Sequence, residues 1–154
     1  MAKTVYCFDS SALMHAATRA YPIEVFASFW DRFTQAVESG LVIAPDEVLE
    51  EVARKDDGLH AWCKLHRELF VPLTEDVQAA ALEVAALVPS LVDLQKGRGQ
   101  ADPFVVALAK VRGAAVVTEE HSKPTKPKIP DACRRFGVRC ISLLEFLREM
   151  RWKF

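Results

Sequence analysis

The stretch Thr4-Val5-Tyr6-Cys7-Phe8-Asp9-Ser10-Ser11 decides the fold. Five apolar, β-branched or aromatic-rich residues run without polar alternation and stop at an aspartate. A strand covered on both faces reads this way, because neither face meets water. Such strands belong to parallel sheets with helices on both sides. Ser10-Ser11-Ala12-Leu13 then predicts a turn into a helix, with a serine available as cap.

The rest of the chain repeats the pattern. Leu41-Val42-Ile43-Ala44 and Ala114-Ala115-Val116-Val117-Thr118 read as two more buried strands, and Gly137 to Ile141 as a turn and a short one. Between Pro22 and Ser39, Ile23, Phe26, Phe29, Trp30, Phe33 and Val37 mark one helical face, closed by Gly40. Pro45-Asp46 opens a helix to about Arg54, with Asp46 as a plausible cap. Leu59 to Phe70 reads as helical and Val71-Pro72-Leu73 as extended. Thr74 is expected to cap a helix that ends near Val88. A loop over Lys96 to Gln100 precedes a helix from Ala101 to Arg112, ended by Gly113. A lysine- and proline-rich loop, Lys123 to Pro130, leads into a helix through Phe136. Ser142 is expected to cap a last helix to about Trp152. Strands alternating with helices predict a three-layer α/β/α sandwich with a mostly parallel central sheet. With no repeat, linker or low-complexity tract, residues 1–154 are expected to form a single domain.

Composition narrows the class. The 154 residues are 51% hydrophobic and 27% charged, which excludes a disordered chain. The formal net charge is -1, against a polybasic binder. That balance hides a split: 13 Lys and Arg face 6 Asp and Glu from Lys96 onward, whereas 7 face 15 before it. No apolar stretch is long enough for a bilayer and no secretory leader precedes the first strand, so a cytoplasmic protein without a membrane partner is expected. Cys7, Cys63, Cys133 and Cys140 show no C-x-x-C spacing and no disulfide framework.

In an open parallel sheet, ligands bind beyond the carboxyl ends of the strands. Asp9 follows the first strand, and Glu119 and Glu120 follow the strand ending at Thr118. Glu47, Glu50 and Glu51 lie in the first turns after Leu41–Ala44, and Asp102 starts the Ala101–Arg112 helix. Each has a plain reading as well. Asp9 can be a turn residue and Asp102 a helix cap before Pro103. Glu119 and Glu120 can be loop solubilisers, and at least two of the three glutamates solvated helix surface. Their joint placement points further. Crowded carboxylates repel unless a cation joins them, and an all-oxygen set suits Mg²⁺ or Mn²⁺ better than zinc. Two such ions can serve phosphodiester cleavage. Lys123, Lys126 and Lys128 read either as a solvated loop or as a rail for a phosphate backbone. Phosphate-loop, dinucleotide, zinc-protease and serine-hydrolase motifs are absent.

Four motifs in order resemble PIN domains: strand-Asp9-Ser10-Ser11, Val48-Leu49-Glu50-Glu51-Val52, Ala101-Asp102-Pro103-Phe104-Val105-Val106, and Val116-Val117-Thr118-Glu119-Glu120. Lys55-Asp56-Asp57 with Trp62, and Ile129-Pro130-Asp131-Ala132-Cys133, look like a poorly characterised bacterial branch. More broadly the chain is similar to VapC-type toxin ribonucleases. The resemblance implies Mg²⁺- or Mn²⁺-dependent endoribonuclease activity on RNA. It implies Asp9, Glu51 and Asp102 as metal ligands and catalytic acids, with Glu120 as the fourth and Glu119 as its understudy. Glu120 stands where many relatives have Asp. Ser11 would be a polar support near Asp9, Thr118 a supporting residue that matches the T-x-D motif with Glu120, and Lys123, Lys126 and Lys128 would contact RNA. An antitoxin protein and a homodimer are the partners such a toxin implies. The rival expectation is a catalytically inactive PIN-like module that binds RNA or protein. A phosphatase using Asp9 as nucleophile is a third, set back by Ser11 where a second Asp belongs.

Overall fold

The computed structural model describes residues 3–92, 100–122 and 127–154. Five short strands form one parallel sheet: β1 Tyr6–Phe8, β2 Val42–Pro45, β3 Phe70–Val71, β4 Ala115–Val117 and β5 Cys140–Ile141. Their order across the sheet is β3-β2-β1-β4-β5. Tyr6 pairs with Val42 on one side and Ala115 on the other, and Phe8 with Val117. Strand β1 is therefore central, and every residue of it is buried. That burial is the reason its sequence has no polar alternation.

Helices cover both faces: α1 Ser10–His15, α2 Ala27–Glu38, α3 Asp46–Lys55, α4 Asp57–Leu65, α5 Glu75–Leu87, α6 Asp102–Arg112, α7 Ile129–Arg135 and α8 Leu143–Met150. Alternation along β1 sorts the layers. Tyr6 and Phe8 point to one face, where Phe8 meets Phe33 of α2 and Phe146 of α8 edge to face. Cys7 points to the other and donates to the Val105 carbonyl of α6. Helices α5 and α7 pack on α6 there, while α4 joins α2 through Trp30 and Trp62. The result is the three-layer α/β/α sandwich expected from the sequence.

Several boundaries differ from the sequence reading. The apolar face that starts at Ile23 becomes helix only at Ala27. Residues 16–20 form a π-helical turn, and the Trp30 indole is tied back to the Tyr21 carbonyl at 2.7 Å. The helix expected through Phe70 stops at Leu65, and Phe70–Val71 adds to the sheet beside β2. A two-residue strand is too short to show a period, so the apolar run of the preceding helix absorbed it. Asp46 is the first helical residue of α3, not its cap. Thr74 occupies the cap position of α5, but its hydroxyl turns to Asp76 instead of the helix backbone. Ser142 does cap α8, in a reciprocal arrangement with Glu145. That last helix ends at Met150, two residues short of Trp152. Gly113 takes φ +66 at the end of α6, a left-handed value that a side chain would strain. All four cysteines are free thiols. Among the described residues no helix is long and apolar enough to cross a membrane.

Phe8 is fully buried and joins α2 to α8 across β1. Phe8→Ala is expected to destabilise the protein by about 3–5 kcal/mol, the usual cost of an emptied aromatic site. Urea unfolding monitored by circular dichroism measures it. A loss under about 1 kcal/mol would contradict this account of the core.

Candidate metal centre

The order in which strands are added across the parallel sheet reverses between β1 and β4. From β1 the connections run to β2 and β3 on one side, and the chain then crosses to β4 and β5 on the other. Such a switch point leaves a crevice at the carboxyl ends of the two strands. Asp9 leaves β1 there and Thr118 leaves β4 beside it.

The carboxylate of Asp9 is held through one oxygen. Its Oδ2 accepts from the hydroxyls of Ser11 at 2.6 Å and Thr118 at 2.9 Å. Each hydroxyl in turn accepts a backbone N–H: Glu119 N donates to Ser11 Oγ, and Glu120 N to Thr118 Oγ1, both at 3.1 Å. The two hydroxyls also lie 3.1 Å from each other, so they form one hydrogen-bonded brace on Oδ2. The other oxygen, Oδ1, is buried and has no hydrogen-bond partner among the described residues. A buried carboxylate oxygen left unpaired is costly and calls for an explanation.

Two more carboxylates provide it. Asp9, Glu51 and Asp102 are all buried, and one oxygen of each lies within 4.8 Å of the others. Glu51 reaches in from α3. Its Oε1 accepts from Ser10 Oγ at 2.7 Å. Asp102 is the first residue of α6, just ahead of Pro103, where the helix end favours negative charge. The sequence left open which glutamate of α3 faces inward. The structure buries Glu51, half-buries Glu47 and exposes Glu50.

Ser10 was missed by the sequence reading. It had been seen only as an available cap. The helix instead starts at Ser10 itself with Asp9 in the cap position, and the Asp9 side chain makes no capping bond. Ser10 and Ser11, adjacent in the first turn, therefore splay toward different carboxylates. A pair of serines directly after a strand-ending Asp is the signal that could have found them.

The electrostatics follow from burial. Removal from water pushes Asp102 up to about 9, and the charges of Asp9, Glu120 and Glu51 add to the shift, against Lys128. Desolvation also raises Asp9, opposed by the Ser11 and Thr118 hydroxyls. Glu120 is raised by burial and by Asp9. It lies outside the group of three but within their electrostatic reach, and its Oε2 accepts from Ile129 N at 3.2 Å. Glu119 is occupied elsewhere: its Oε1 accepts from Leu143 N at the start of α8, at 3.1 Å. Lys128 sits in the cap position of α7, where its charge opposes the upward shifts of Asp102 and Glu120. Lys123 and Lys126 lie outside the described residues.

A hard divalent cation fits this donor set. The three converging groups offer only carboxylate oxygens, and Asp9 Oδ1 has no other partner. That chemistry suits Mg²⁺ or Mn²⁺.

Residues 6–154 match the model of a family described as a domain of unknown function, DUF4411. The chain belongs to this family. Its fold is PIN-like, a three-layer α/β/α sandwich. A chain in the crystal structure of VapBC2 from Rickettsia felis, bound to a DNA fragment from their promoter, superposes with a TM-score of 0.53. The two are 12% identical, and the match covers 90% of this chain and 98% of that one. The crystal structure of PAE2754 from Pyrobaculum aerophilum also matches, at 17% identity and a TM-score of 0.41, over 87% of this chain and 97% of that one. At such identities the likeness is one of fold. No curated protein matches this chain.

The raised carboxylates set the sign of a pH dependence. A group whose pKa is raised in the folded state binds protons more tightly folded than unfolded, so stability falls as pH rises between the two values. For Asp102 that window runs from its ordinary value of 3.8 to about 9. Without divalent cation, the melting temperature is expected to fall as pH rises through this window, and added Mg²⁺ or Mn²⁺ should flatten the fall. Asp102→Asn should raise the metal-free melting temperature at pH about 8 by about 4 °C and remove the response to cation. Scanning calorimetry checks both; a flat metal-free profile would speak against the crowding described.

Proposed function

We propose that this protein is a single PIN-like domain acting as a divalent-metal-dependent endoribonuclease, the toxin of a toxin–antitoxin pair. The observation that carries the reading is the buried cluster of Asp9, Glu51 and Asp102 at the sheet's switch point, in which Asp9 Oδ1 has no hydrogen-bond partner among the described residues. The VapBC2 likeness supports the fold class and the idea of a paired antitoxin.

Asp9, Glu51 and Asp102 would hold Mg²⁺ or Mn²⁺. When bound, the cation would neutralise the site, lower the pKa of a ligated water and stabilise charge on the phosphate. The chain's own residues do the rest. Ser11 and Thr118 fix the Asp9 carboxylate so that Oδ1 faces the pocket, and Ser10 holds Glu51. This preorganisation means that little rearrangement is needed when substrate arrives. Glu120 keeps Oε2 on Ile129 N and has Oε1 left to orient a water and take its proton. Burial and the neighbouring Asp9 raise its pKa, which makes the carboxylate a better proton acceptor. Lys128, beside the acids, would meet a backbone phosphate, and Lys123 and Lys126 would extend that contact. An antitoxin would silence the site by placing a cation, such as an arginine, in the carboxylate pocket.

Asp9→Asn and Asp102→Asn are each expected to reduce Mn²⁺-dependent cleavage of single-stranded RNA by at least about 100-fold. Titration calorimetry should show weaker cation binding by the same variants. Full cleavage by both variants would exclude this mechanism. Cation-independent RNA binding without turnover would identify the inactive binding module instead.

A further inference from the structure

Arg54 lies on α3 one turn beyond Glu51, so the two share a helix face. Both of its terminal nitrogens, Nη1 and Nη2, donate to the single Oε1 of Gln100, each at 3.2 Å. Gln100 in turn is two residues before Asp102. The contact therefore spans the rim between the two elements that bring Glu51 and Asp102 into the pocket. Arg54 and Gln100 are both exposed. Among the described residues no carboxylate pairs with this guanidinium, although the rim is otherwise acidic with Asp46, Glu47 and Glu50 on the same helix. A neutral amide oxygen shared between two donors at 3.2 Å is a weak tether. A phosphate offers the same fork two charged oxygens, a stronger and better matched partner.

We propose that Arg54 is a substrate-binding residue, which exchanges Gln100 for a backbone phosphate of single-stranded RNA next to the scissile one. This inference rests on the nuclease reading and extends it. Lys128, in the cap position of α7, and Arg54, on α3, then each hold a phosphate of the strand. A strand held at both ends lies across the carboxylates in one register. The phosphates on either side of the reacting one supply the binding energy that aligns it.

The test uses the full chain and a short fluorescein-labelled single-stranded RNA. Binding is read by anisotropy in the Asp9→Asn background, so that the probe is not consumed, and cleavage is read in the wild-type background. Arg54→Ala is expected to weaken binding about ten-fold and to reduce the slope of log affinity against log salt by about 0.7, the share of one phosphate contact. In cleavage it should raise KM with kcat little changed. Arg54→Lys should restore the salt slope and part of the affinity. Gln100→Ala releases the guanidinium, and should leave affinity unchanged or tighter. If Arg54→Ala and Gln100→Ala weaken binding alike with the salt slope unmoved, Arg54 is only a tether between helices and the inference is overturned. It is equally overturned if Arg54→Ala binds RNA as well as its parent. If the unmodified protein neither binds nor cuts RNA, the nuclease reading itself has failed, and the inference falls with it.

Discussion

Three buried carboxylates within 4.8 Å of one another are the constraint around which this structure is organised. Left alone they repel, and burial makes the repulsion worse. A fold can tolerate such a group only if the surrounding framework is stable enough to hold it. Here the framework is a central strand fully covered on both faces, with Phe8 locked between Phe33 and Phe146. Apolar burial on either side of β1 offsets the polar strain at its end.

The hydroxyls around Asp9 show how direction is imposed. A lone carboxylate can turn, and either oxygen can face the pocket. Two backbone N–H groups from the segment after β4 commit the hydroxyls of Ser11 and Thr118, which then commit Oδ2. The orientation of one side chain thus depends on the pairing of β1 with β4. Fold and site are one arrangement here.

Much of this was legible in the sequence, for identifiable reasons. The strand before Asp9 was readable because full burial removes polar alternation. Asp102 was readable because Pro103 marks the first turn of a helix. Other features were not. Strand β3 is two residues long and carries no period. The inward choice of Glu51 over Glu50 depends on the phase of α3 against the sheet, which spacing along one helix does not fix. Ser10 was hidden by its ordinary reading as a cap, because its real partner, Glu51, is 41 residues away. The Arg54–Gln100 contact, between residues 46 apart, was hidden for the same reason. Tertiary contacts, not local propensity, assign such residues their roles.

The distance along the chain between Asp9 and Thr118 has a consequence for biosynthesis. The bond between them joins positions 109 residues apart. A nascent chain displays Asp9, Ser10 and Ser11 early, but β4 and the residues after it emerge only when about three quarters of the 154 residues have been made. Until then β1 lacks one neighbour, Asp9 lacks one of its two anchoring hydroxyls, and Asp102 has no packed sheet behind it. The carboxylate cluster therefore cannot take its final geometry before the segment after β4 has been made.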